Sequence, residues 1–249
     1  MSKSVFHSLV IFIFGGLLLA SAQASASLRI PTAMTASDRN RALDVLGYGS
    51  ATKILGDPYP LGGYDGLEVG IATEIMQTDQ ISALGNKATL QGQTTYNTIT
   101  IGKGIYGNID TFVTFSLMGQ NENVSDVGGQ LRWGFYQASY LPIYLTAIFH
   151  GNFFNCENLV VTNSFGMDII AGFKEGDVTL YFGGGPIQAS GNFSGGSGGV
   201  TNTGQNSGNS ISGSRFLGGL NIKVGRYFIV GEIDNYDQPA YAGKLGYRF

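Results

Sequence analysis

His150 and Ser164, on neighbouring strand segments, are the pair in this sequence that comes nearest to nucleophilic chemistry, since hydrolysis of an acyl or phospholipid ester needs a nucleophile beside a histidine. The other histidine, His7, falls in the segment read below as an export signal. A simple turn across residues 154–158 sets His150 opposite Thr162 and not Ser164, and no fixed triad motif accompanies either residue. A protease site of paired carboxylates and an aspartate–histidine couple has Glu74 as its nearest acid, without a complete set around it. The sequence carries no phosphate loop, no metal-ligand spacing and no nucleotide fingerprint. The expectation is therefore a protein with no cofactor and no metal, and not an enzyme.

The elements that must hold these residues are strands. From about Tyr64 to the last residue, apolar side chains recur at every second position in segments of about ten residues. Ile109, Thr111, Val113, Phe115 and Leu117 share one face while Asp110, Thr114 and Ser116 share the other. Leu131, Trp133 and Phe135 likewise oppose Gln130, Arg132 and Gly134. Ten such segments run over 64–75, 94–105, 109–119, 127–138, 142–153, 159–173, 177–186, 212–224, 227–235 and 241–249. An even count suits an antiparallel barrel.

Composition narrows the class further. The 249 residues include 39 glycines, and only 12% are charged, with a net charge of −3. Nothing in that balance offers the basic footprint that nucleic acid requires. Residues 1–26 read as a signal peptide: Lys3, an apolar run from Leu9 to Ala20 too short to cross a bilayer, and A-x-A patterns at Ala20–Ala22 and Ala24–Ala26. No later apolar run reaches 18 residues, so a helical membrane protein is excluded. Cys156 stands alone, which rules out an intrachain disulfide and reads as an incidental loop cysteine.

The connections decide between a soluble sandwich and a membrane barrel. Tight turns at 106–108, 139–141, 174–176 and 225–226 alternate with longer links at 76–93, 120–126, 154–158, 187–211 and 236–240. Short turns on the periplasmic side and long links outside are the asymmetry of bacterial outer-membrane barrels. Tyr106, Tyr140, Tyr144, Tyr227 and Tyr247 sit beside the short turns, where a bilayer-interface girdle belongs. The link 187–211, rich in Ser, Gly and Asn, is expected to be a mobile loop.

With these features the chain resembles the small outer-membrane β-barrel proteins of Gram-negative bacteria, the broad group that includes the OmpA transmembrane domain and OmpW. The resemblance covers the signal peptide and residues 64–249. Its most specific part is the ending Tyr241-Ala242-Gly243-Lys244-Leu245-Gly246-Tyr247-Arg248-Phe249. Tyr241, Leu245, Tyr247 and Phe249 there are similar to the alternating terminal signal read by the barrel-assembly machinery, with Gly243 interrupting the series. The resemblance agrees with the fold class read from the residues, all-β, a closed antiparallel transmembrane barrel whose alternating segments give about ten strands, with a short N-terminal helix. It implies outer-membrane lipids and the assembly machinery as partners and residence in the bacterial outer membrane, while the charge balance gives no nucleic-acid partner.

Residues 27–63 do not alternate and are expected to form a periplasmic segment. Thr35 or Ser37 offers an N-cap, and Gly47 a stop, for a short helix. Two placements compete, a plug in the lumen and a helix against the periplasmic rim; the rim is preferred because irregular segments lie at surfaces. Facing the lumen are Glu68, Glu74, Asp110, Arg132, His150, Asp168, Arg215, Lys223, Glu232, Asp234, Lys244 and Arg248. A simple 236–240 hairpin sets Glu232 opposite Lys244 as an inward ion pair. Inward glycines, among them Gly172, Gly219 and Gly246, either open a narrow passage or serve strand curvature. Ten strands give little more room than the eight that side chains fill. The functional expectation is a structural barrel or narrow passive channel of porin type, with a surface-loop binding or adhesion barrel as the alternative.

Overall fold

The computed structural model describes residues 28–87, 92–117 and 124–249, so the export segment at 1–26 lies outside the described residues. Ten strands follow one another: β1 (Leu67–Gln77), β2 (Gln93–Tyr106), β3 (Ile109–Ser116), β4 (Val124–Gln137), β5 (Ile143–Cys156), β6 (Val160–Glu175), β7 (Val178–Phe193), β8 (Ser207–Val224), β9 (Tyr227–Asn235) and β10 (Pro239–Arg248). Each pairs antiparallel with the next, and β10 returns to pair with β1 from Glu68↔Arg248 to Met76↔Ala240, closing the barrel. Closure leaves no sheet edge, which a bilayer core demands of any strand that crosses it.

The period of two separates the faces. Ile71, Val113, Phe115, Leu131, Trp133, Phe149, Phe165, Ile169, Leu180, Phe182 and Leu245 point outward and are exposed. They lie side by side through the register, as in Ile71↔Leu245, Phe115↔Val127, Leu131↔Phe149 and Leu180↔Leu220. The alternate positions are buried and mostly polar. A surface this apolar in water would be an association liability; against lipid it is the matching solvent.

Connection lengths follow the expected asymmetry only in part. Turns at 107–108, 176–177 and 225–226 and the link 138–142 define one mouth, and residues 78–87 and 194–206 lie at the other. The links read as 154–158 and 236–240 prove to be three residues each, 157–159 and 236–238, against two in most of the turns opposite. Glu157 and Asn158 both take positive φ (53° and 58°), the signature of a type I′ hairpin turn whose twist matches its strands. The stretch 187–211 is mostly not a loop. β7 runs on to Phe193 and β8 begins at Ser207, because Ile187, Ala189 and Phe193 alternate inward between Gln188, Ser190 and Asn192. Cys156 ends β5 fully buried, not in a loop.

Residues 28–63 run inside the barrel from the loop mouth to the turn mouth, which corrects the periplasmic-rim placement. At the loop mouth Met34 bridges to Thr201, and its N–H donates to Val200 O at 2.7 Å. Helix α1 (Ala36–Leu43) follows, begun by a capping box in which Thr35 and Asp38 bond each other's backbone N–H, and it continues as a π-helical turn over Asp44–Tyr48. Leu28, Met34, Leu43 and Leu46 pack with Phe154, Val160, Phe193 and Val200 into one apolar cluster under the loops. Below it an extended stretch descends past Gly128 and Gly134 to Gly63, which lies against Gly104 and Gly107 at the turn mouth. Gly66 then leads the chain back into β1.

Candidate functional site

The descending stretch has no strand partner, so its backbone groups need partners from side chains of the wall. Inward positions of β3, β4, β5, β8, β9 and β10 supply them. Glu232 accepts from the N–H of Ile54 and of Leu55, each at 2.8 Å. Arg132 donates to Ile54 O, Gln130 to Lys53 O, and Arg215 to Thr52 O at 3.1 Å. Nearer the turns, Arg248 donates to Asp57 O at 3.3 Å, Thr146 to Pro58 O at 2.9 Å, and Asp110 accepts from Leu61 N–H at 3.0 Å.

Two charge clusters organise these contacts. In the first, Arg215 reaches Asp234 at 2.7 Å, Asp168 at 3.1 Å and Glu232 at 3.3 Å, all with fully buried side chains. His150 joins through Asp168 at 3.2 Å and Lys53 through Asp234 at 3.7 Å. In the second, Glu68 holds Lys244 and Arg248, each at 2.7 Å. Asp57 beside it takes Lys174 and the Tyr144 hydroxyl, both at 2.9 Å. The Arg132 guanidinium lies 3.8 Å from the Phe112 ring centre. Buried charges of opposite sign that are this densely bonded fix a geometry more than they add stability.

The structure places Glu68, Asp110, Arg132, His150, Asp168, Glu232 and Lys244 on the inward face, all buried. The expected Glu232–Lys244 pair is not formed. The observed register sets Glu232 against Ala242 and Lys244 against Val230, two residues from the simple-hairpin alignment, and Lys244 turns to Glu68. His150 stands opposite Gly166 and not Thr162, and Ser164 opposite Asn152, so histidine and serine do not meet. Among the described residues no group of His, Cys, Asp and Glu has the arrangement of a metal site.

Tyr106, Tyr140 and Tyr227 project outward at the turn mouth, and Tyr247 sits between Tyr227 and Phe249 with ring centres 5.0 and 4.9 Å away. Tyr144 does not join them. It points inward, 2% exposed, over Gly172, where an added Cβ would stand 2.1 Å from its ring. The same relation joins Tyr181 to Gly219, Phe228 to Gly246 and Phe112 to Gly102. These glycines therefore neither open a passage nor merely bend strands; each is the floor beneath an inward aromatic ring. At the terminus Tyr241, Leu245 and Phe249 face outward and exposed.

Sequence reasoning missed Thr52, Lys53, Ile54, Leu55 and Asp57, the contact residues of the segment in the lumen. The wall charges gave no signal for them, since Arg215 pairs with Asp168, Glu232 and Asp234, and Glu68 with Lys244 and Arg248, within the wall itself.

A closed, even-stranded antiparallel barrel with an apolar exterior and a charged interior defines a transmembrane β-barrel. No protein-family profile matches the chain, and no curated protein is similar to it in sequence. Several solved structures are similar in fold. The Yersinia pestis outer membrane protein Ail in a phospholipid bilayer nanodisc is 12% identical, with 74% of this chain and 99% of that one covered and a TM-score of 0.37. The N-terminal β-barrel domain of Pseudomonas aeruginosa OprF is 12% identical, covering 75% and 99%, at 0.33. The Acinetobacter baumannii outer membrane protein Omp33 is 9% identical, covering 81% and 100%, at 0.32.

Proposed function

We propose that this protein is an integral barrel of the bacterial outer membrane whose lumen is closed by its own residues 28–63, serving as a structural and surface-presenting barrel. One observation carries the reading: residues 28–63 lie within the lumen, packed at the loop mouth through Leu28, Met34, Leu43 and Leu46 and bonded to inward side chains from Thr52 to Leu61, which supports a barrel filled by its own chain. The outward apolar band would meet outer-membrane lipids, and the girdle of Tyr106, Tyr140, Tyr227 and Tyr247 would mark the periplasmic interface. In this reading the short turns lie in the periplasm, and Tyr241, Leu245, Tyr247 and Phe249 serve the barrel-assembly machinery. No enzymatic step is assigned to His150, which is committed to Asp168.

A porin-type role is the second reading, conditional on release of the segment. The charged wall favours it, because that wall would line an aqueous passage once vacated. Single-channel recording in planar bilayers tests both. The refolded wild-type protein is expected to be silent, and a Glu232→Gln, Asp57→Ala chain to show discrete openings. Steady openings of the wild type would overturn the closed-barrel reading; silence of both proteins would remove the gated one.

A further inference from the structure

Eight backbone groups between Thr52 and Leu61 are bonded by wall side chains: the carbonyls of Thr52, Lys53, Ile54, Asp57 and Pro58, and the N–H groups of Ile54, Leu55 and Leu61. A donor aimed at a carbonyl, or a carboxylate aimed at an N–H, accepts any residue type that keeps the same backbone path, and only at Lys53 and Asp57 do side-chain ion pairs, with Asp234 and Lys174, add to these main-chain bonds. Main-chain recognition of this kind is how extended peptides are gripped elsewhere, by sheet edges; here side chains of a closed wall replace the edge. The direction of the chain is equally defined. Met34 is tied to Val200 and Thr201 in the long 194–206 loop, while Gly63 lies against the 107–108 turn, so the segment enters at the loop mouth and leaves at the turn mouth.

We propose that the lumen is a binding site for an extended polypeptide main chain, held with its N-terminal end outward, and that α1 is thereby presented at the cell surface. The proposal rests on the orientation given above, with short turns in the periplasm. In physical terms the barrel either passes this segment outward or closes around it during insertion. Both routes end with the same side of the membrane facing Ser37.

Single cysteines and a membrane-impermeant maleimide on intact cells test it. The native Cys156 is fully buried, so background labelling is expected to be low. Ser37→Cys reports α1, Ser197→Cys the long loop and Arg226→Cys a short turn, and all three positions are exposed. The expected result is labelling of Ser37→Cys to the same extent as Ser197→Cys, with Arg226→Cys labelled only after permeabilisation. Labelling of Ser197→Cys with Ser37→Cys silent until permeabilisation would overturn the proposal and leave the barrel's orientation standing. Labelling of Arg226→Cys with Ser197→Cys silent would overturn the orientation itself, and the proposal with it. Ala36→Cys, also exposed, replaces Ser37→Cys should that chain fail to insert. The main-chain clause has its own test: Thr52→Ala with Ile54→Val, added to Ser37→Cys, should leave the labelling unchanged, and its loss would contradict backbone recognition.

Discussion

The Leu55 N–H donates to the Glu232 carboxylate at 2.8 Å from a backbone in the left-handed region, φ 42°, a conformation a leucine rarely adopts. Ile54 donates to the same carboxylate, so two successive N–H groups form a small anion-binding nest for a side chain of β9. The Tyr181 hydroxyl donates to it at 2.6 Å. Strain at Leu55 persists because four donors, Arg215 among them, converge on one acid. Glu232→Gln removes that charge and leaves Arg215 with one fewer counter-ion. A cost of about 3 kcal/mol is expected from breaking a buried ionic contact on one side. Denaturant unfolding in detergent micelles measures it, and an unchanged midpoint would refute the role.

The ring-over-glycine layer gives a second expectation. Gly219→Ala would put a methyl 2.1 Å from the Tyr181 ring and should destabilise the barrel by roughly 1–3 kcal/mol through overpacking. Combining it with Tyr181→Leu, which removes the ring, should cost less than the sum of the two single changes. Simple additivity in the double-mutant cycle would show that the contact carries nothing.

Lipid exposure predicts depth dependence. Phe149 lies mid-strand on the outward face between Leu131 and Met167, and its replacement by Arg should cost about 2–4 kcal/mol. Tyr140, 99% exposed at the turn mouth, should tolerate Arg with a change of about 1 kcal/mol or less. Folding titrations into lipid vesicles report both, and equal costs would contradict the membrane band.

The α1 cap titrates. Bonds from the Thr35 backbone N–H and hydroxyl hold the Asp38 carboxyl below its ordinary value. A depressed folded pKa contributes stability above the unfolded value, lost as pH falls through the folded one. Acidification below the usual carboxylate range should therefore loosen α1, and Asp38→Asn should loosen it at neutral pH and flatten that acid response. Backbone amide exchange across residues 36–43 is the readout.

The strands were legible because alternation is imposed locally: each residue of 109–116 or 127–133 faces lipid or lumen by its own type. Register was not, since a three-residue link such as 236–238 shifts a ladder by two with no trace in composition, so the simple hairpin alignment pairs Lys244 with Glu232 where the fold gives it Glu68. Tyr144 reads as a girdle residue from sequence because girdle and lumen aromatics occupy neighbouring strand positions, and only the glycine across the ladder, Gly172, tells them apart. Residues 49–61 were opaque for a deeper reason. Their partners are side chains spread over six strands, so no periodicity marks them. The polar stretch 187–211 misled for the opposite reason, because Ser, Asn and Gly outward of Ile187, Ala189 and Phe193 look like loop until the alternation is followed.

The placement of residues 28–63 within the barrel is tested most directly by a disulfide. A Cβ built on Gly47 lies 2.7 Å from that of Ala189 on β7, within about an ångström of the roughly 3.5–4.5 Å that a disulfide spans. In a Cys156→Ala background, mild oxidation of the Gly47→Cys, Ala189→Cys chain should give near-complete bridging with the barrel still folded. A folded barrel in which the two cysteines stay separately alkylatable would contradict the account, since α1 and its π turn would then lie outside the lumen.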